Sequence, residues 1–201
     1  MPDTNWSPQI SKHGYSVVFK IHNLGRQQLY TENTLTPVVH VLRDQRLSVF
    51  ASALRLWAVV LAANLLGTLI FGIGLYLADV FEPTQTAALL AVSDHAVGGE
   101  FQRTFLSAVL AGWLIALMVW LLPAAETARV GVIIIITYLV GLGGFSHIIA
   151  GSAVAAYALA AQTTTLWQVF AGFFVPTLAG NVVGGVAFVA ALNYAQVVPE
   201  D

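Results

Sequence analysis

The sequence contains no cysteine, so disulfides, thiolate metal sites and thiol nucleophiles are excluded at once. Charge is almost as scarce. Asp, Glu, Lys and Arg make up 9% of the 201 residues, with a net charge of −2. No basic cluster is long enough to grip a phosphate backbone, which sets nucleic-acid partners aside. The first residues, "MPDTNWSPQISKHG", lack the basic start, apolar middle and small-residue cleavage site of a signal peptide. Membrane insertion is therefore expected to rely on later segments. No HExxH, nucleophile elbow or phosphate-binding glycine loop occurs, and neither His147 nor His40 has a partner at metal-ligand spacing. Enzyme chemistry, a metal site and a cofactor are all unexpected.

Apolar residues fill the space. They form 58% of the chain, and the mean hydropathy is +0.79, far above that of soluble domains. Leu56–Ala78, Phe105–Pro123, Val130–Gln162 and Thr163–Val198 are uncharged runs. Each is long enough for the roughly 20 helical residues that cross a ~30 Å hydrocarbon core. An all-α transmembrane protein is expected, with residues 1–14 a polar, disordered tail and residues 15–201 one membrane domain. The expected spans lie near 15–42 (broken), 49–78, 104–123, 130–161 (broken) and 166–195, which is four full spans plus part of a fifth.

Arg43, Arg46 and Arg55 precede the first full span, whereas the next loop carries Asp79, Glu82, Asp94 and Glu100 against Arg103. Basic residues are retained on the cytoplasmic side, so the first loop and, by alternation, the C-terminus are expected inside, in a bacterial inner membrane.

Residues 15–42 are interrupted by Lys20, His22, Arg26 and Glu32. A broken helix with irregular backbone at membrane depth fits, because such backbone survives where it is buried in protein or lines a wet cavity. A surface-lying amphipathic segment is the alternative. An internal repeat favours the broken helix. "NLLGTLIF" at 64–71 and "NVVGGVAF" at 181–188 share Asn, Gly and Phe in register. Thr31 precedes Asn64 by nearly the distance at which His147 precedes Asn181. The two copies run in opposite directions, and an inverted repeat points to a substrate path between the halves.

The second break, "GLGGFSHIIAG" at 141–151, sets His147 among Gly141, Gly143, Gly144 and Gly151. An ionisable residue at this depth reads as a proton donor or pore-lining dipole. The plainer reading is a histidine hydrogen-bonded for packing. Gly180 and Gly184 form a small-xxx-small face and read as helix-packing positions.

The stretches "LGRQQLYTENTLTPVV", "GFSHIIAGSA" and "FFVPTLAGNVVGGVAFVAAL" resemble the second, fifth and sixth spans of the formate/nitrite transporter family, in its branch with a "TENTLTP" loop. The resemblance covers roughly residues 23 to 195. It implies an aquaporin-like helical bundle built from an inverted repeat with broken helices, assembled as a homo-pentamer with one pore per protomer. Small anions such as formate, nitrite and hydrosulfide are the implied cargo. By the same resemblance His147 is the central pore histidine and Thr31 the loop threonine. Tyr30 and Val140 flank constrictions, Asn33 and Glu32 lie in the loop, and Asn181 falls in the sixth-span motif.

This sequence also departs from that family. Gly112 stands where its fourth-span signature usually has asparagine, and Glu32 replaces a small residue. A lysine often found before the fourth span has no counterpart beyond Glu100 and Arg103. The first span and the start of the second are absent, which reads as a truncated product. Transport of a small weak acid, proton-linked through His147, is the expected function. A non-conducting membrane scaffold or inactive member is the alternative, and an intramembrane enzyme lacks the groups a site needs.

Overall fold

The computed structural model describes residues 46–197. These residues are helical, with no strand among them. In chain order the helices are α1 (Leu47–Ala78), α2 (Pro83–Val97), α3 (Phe101–Leu121), α4 (Arg129–Leu142), α5 (Ile148–Ala160) and α6 (Val175–Val197). A short 3₁₀ turn, Glu126–Ala128, leads into α4, and a π-helical segment, Gln168–Phe174, leads into α6.

Three helical stretches among the described residues, Leu47–Ala78, Phe101–Leu121 and Gln168–Ala187, are long and apolar enough to cross a bilayer. The protein is an integral membrane protein. At about 1.5 Å per residue, α4 and α5 are each too short to span a ~30 Å core, and together they are long enough.

Helix α1 buries only Ala53 and Gly72, while Leu66, Ile70 and Phe71 are exposed. A helix apolar all round must be covered by lipid or protein. It stops at Asp79, which turns left-handed at φ 46°. The stretch from Asp79 to Glu100, read from its charges as a loop, instead carries α2. Pro83 pre-sets the first helical turn, and the Gln85 side chain accepts from the Glu82 backbone N–H at 3.0 Å. Ser93, buried, donates to the carbonyl of Val154 at 3.0 Å and so ties α2 to α5. With 15 residues, α2 is below spanning length.

The centre of the bundle is the pair α3 and α6, which run parallel. Their small residues let the backbones approach. A Cβ at Gly180 would meet the Phe105 carbonyl and Ala108, and one at Gly184 would strike the Val109 carbonyl. On the α5 side, Gly72 of α1 lies against Ala153 and Ala156. Without a hydrophobic force between helices in lipid, such close packing is a principal source of association. Val97, Ile115, Met118, Ile133, Val140, Ile148 and Phe173 fill the core between these helices.

Candidate functional site

Between α4 and α5 the chain abandons the helix for five residues, Gly143 to His147. Glycine makes the departure possible at Gly144, whose φ is +60°. At Gly143 any Cβ would run into the Phe145 ring. The Gly144 N–H still reaches the Gly141 carbonyl at 3.2 Å, and the Phe145 N–H reaches the Val140 carbonyl at 3.0 Å, closing the end of α4.

A polar clamp holds the break. The Asn181 side chain, 1% exposed, accepts the Ile148 N–H on Oδ1 at 2.9 Å. Its Nδ2 donates to the Ser146 carbonyl at 2.9 Å and to the Ala108 carbonyl at 2.8 Å. One amide thus fixes the break to α3, α5 and α6 together. Ser107 on α3 adds a fourth tie, its Oγ accepting the Ser146 N–H at 3.0 Å. Inside a membrane each of these backbone groups would be costly if left unpaired.

His147 is the N-cap of α5, in extended backbone at φ −118°. Its ring is buried, 1% exposed, and Nδ1 accepts from the Ala150 N–H in a long 3.4 Å bond. An accepting Nδ1 leaves Nε2 as the nitrogen that carries hydrogen in the neutral ring. The ring therefore sits where the partial positive charge of a helix N-terminus collects, a place that favours an anion. The Ile148 N–H is already taken by Asn181.

Of the other residues singled out from sequence, Val140 is buried in the core one turn before the break. Gly143 and Gly144 open the break, Gly141 lies in the last turn of α4, and Gly184 lies against Val109. Tyr30, Thr31, Glu32 and Asn33 lie outside the described residues. At Gly112 a side chain has no room, because a Cβ would strike the Asn181 backbone. Sequence reasoning missed Ser107, Ser146 and His95. The His95 Nε2 lies 3.4 Å from the Cβ position of Gly144, so a second imidazole flanks the break from α2. Only proximity in space unites these residues, and no local motif announces it.

A broken apolar helix with a buried histidine at the break, a parallel α3–α6 pair and a "GNVVGG" stretch on α6 have a counterpart in known proteins. The family model described as formate/nitrite transporter matches residues 2–195. The chain belongs to the formate/nitrite transporter family. That is a family of transporters, not of enzymes. Inner membrane protein YfdC of Escherichia coli (strain K12) is 38% identical over 185 residues, which make up 92% of this chain and 59% of that protein. The uncharacterized transporter YrhG of Bacillus subtilis (strain 168) is 30% identical over 178 residues, 85% of this chain and 65% of its own length. The chain spans less than two thirds of either relative. Among solved structures, a pentameric formate channel with formate bound superposes with a TM-score of 0.80 at 21% identity, over 96% of this chain and 86% of that one. At that identity the likeness shows the fold, an all-α formate-channel-like bundle.

Proposed function

We propose that this chain carries the path of a transporter or channel for small monovalent anions, formate, nitrite or a similar weak acid, with proton linkage through His147. The observation that carries the proposal is the placement of one buried imidazole at the N-terminus of α5, in a break that the Asn181 amide ties down on both sides. Moving a bare anion through hydrocarbon costs several kcal/mol or far more, on the order of the penalties for intramembrane charge. Partial positive charge at the α5 N-terminus lowers that cost on approach. A proton shared from His147 converts the anion to a neutral acid that crosses a dry constriction. Thr31, with Tyr30, Asn33 and Glu32, is assigned to the facing loop on the strength of the family resemblance alone, and Val140 to the narrow zone. In this conformation the ring is closed off, so passage requires that the layer around His147 open.

The assembly proposed is a homo-pentamer in the bacterial inner membrane with the C-terminus cytoplasmic. Uptake of labelled formate and nitrite into proteoliposomes, measured at several external pH values, tests the function. Accumulation that rises with inward proton flux supports it, and uptake no faster than in protein-free vesicles overturns it.

A second reading, a non-conducting scaffold, draws on two observations. The His147 ring is 1% exposed, and Gly112 leaves no room for the family's usual asparagine. A scaffold gives no swelling or conductance with any small monovalent anion, which separates the two.

A further inference from the structure

Among the described residues, one buried side-chain polar atom has no hydrogen-bond partner. Thr177 is fully buried, and its Oγ1 makes no hydrogen bond. Hydroxyls on membrane helices ordinarily satisfy themselves on the carbonyl one turn back. Thr137 does so on Ile133 at 2.7 Å, Ser152 on Ile148 at 2.6 Å and Ser52 on Ser48 at 2.8 Å. Thr177 does not. An unpaired buried hydroxyl is a standing cost, and a valine of the same shape would remove it.

Its position suggests what the hydroxyl is for. One turn further along α6 is Asn181, the residue that holds the His147 break. Residues four apart share a helix face, so Thr177 and Asn181 are on neighbouring positions of one stripe. In the other direction lies Gly172, which lines a cavity of about 620 Å³ together with Ser93, Asp94, Gly98, Gly99, Thr163 and Gln168. Gly172 closes against the Val97 carbonyl. Along the helix axis Thr177 is about 7 Å from the level of Gly172 and about 6 Å from that of Asn181, at roughly 1.5 Å per residue. By level along α6 it falls between the cavity lining at Gly172 and Asn181, which holds the His147 break.

The segment that links them is π-helical. Such turns are rare and recur at functional sites. Here the Val175 N–H reaches back to the Phe170 carbonyl, and the next residue, Pro176, has no N–H to give. Phe173, within the wide turn, presses its ring on Gly151, one turn into α5. The irregular backbone is thus local to Thr177.

From these observations we infer that the Thr177 hydroxyl is a hydrogen-bonding station for the permeating solute, a small carboxylate or oxyanion and its conjugate acid, between the α2-side cavity and His147. A hydroxyl both donates and accepts, so it serves an anion's oxygen and a neutral acid's O–H alike. Burial from bulk water is what gives one such bond weight for a solute that has shed its hydration. The inference rests on the transport reading above.

The test is uptake of labelled formate by Thr177→Val, Thr177→Ser and the unaltered full chain, beside thermal unfolding of each in detergent. Thr177→Val is expected to lower uptake about fivefold and raise the half-saturating concentration, the worth of one hydrogen bond, without lowering Tm. Thr177→Ser restores uptake to near the unaltered level. Undiminished uptake by Thr177→Val beside an active unaltered chain overturns the station alone. Equal loss in Thr177→Ser also overturns it, since shape rather than the hydroxyl would then matter. An unaltered chain that moves neither formate nor nitrite overturns the transport reading and the station with it. Should Thr177→Val fail to fold, Thr177→Ala reads the same loss of the hydroxyl.

Discussion

Asn181 Oδ1 lies 2.9 Å from the Ile148 backbone nitrogen, so a side chain on one helix occupies the first orphan donor of another. The same amide donates to Ser146 and Ala108, so one side chain joins its own helix to two other parts of the chain far away in sequence, the break and α3. The break that presents His147 is therefore a tertiary object, held from α6.

Replacing Asn181 by Leu, close in volume, is expected to leave the Ile148 N–H and the Ser146 and Ala108 carbonyls without this partner. The cost is about 3 kcal/mol or more, at roughly 1–3 kcal/mol for each buried group left unsatisfied. Thermal unfolding of the purified protein in detergent reads it as a large drop in Tm. An unchanged Tm would show that the amide bonds contribute little.

The α3–α6 contact gives a second expectation. A Cβ on Gly184 would strike the Val109 carbonyl, and one on Gly112 would strike the Asn181 backbone, and backbone cannot step aside. Gly184→Ala and Gly112→Ala are each expected to destabilise by about 1–3 kcal/mol through overpacking. Gly131→Ala on α4 meets nothing among the described residues and is expected to be neutral or slightly stabilising, since alanine is the better helix former. Equal unfolding temperatures for all three would refute the packing argument. The Gly112 variant also bears on the family's asparagine, because any side chain there must push α3 from α6.

A third expectation concerns Gly144, which has φ +60° beside His95. Gly144→Ala places a Cβ in left-handed backbone at a cost of about 1–2 kcal/mol. Gly144→Asn, whose short polar side chain tolerates that conformation better, is expected to cost less. The ranking Gly, Asn, Ala in Tm checks the backbone geometry. A reversed order would mean that space beside His95, not φ, decides.

How far the sequence reaches is clear from particular residues. The break at 143–147 is legible because glycines cluster around a histidine in an otherwise apolar run, and each is a local signal. The packing face of Gly180 and Gly184 has a spacing that reads directly. Helix α2 was hidden because its charges suggested a loop, although Pro83 and the Glu82–Gln85 pair mark a helix start. Asn181 reads only as part of a repeat, since its partners lie 33, 35 and 73 residues away and no period connects them. The π-helical turn is equally silent, because Phe173 packing on Gly151 is a tertiary contact. Ser107 and the unpaired Thr177 hydroxyl become visible only when helices are placed side by side.

The last expectation separates the two roles His147 could play. As an N-cap it is a modest choice, since asparagine, aspartate and serine accept from the first-turn N–H groups better than imidazole does. Its bond to the Ala150 N–H is long at 3.4 Å. His147→Asn should therefore keep or slightly improve the cap, and Tm is expected to stay within about 1 kcal/mol equivalent of the unaltered protein. Asparagine has no proton to exchange near neutral pH. If the ring passes a proton to the solute, the same variant loses the dependence of formate uptake on external pH while remaining folded. Uptake measured from pH 5 to pH 8 in proteoliposomes decides between them. A flat profile with a retained Tm assigns the proton role to the imidazole. A profile like that of the unaltered protein reduces His147 to a cap, and the proton link must then be sought in another group.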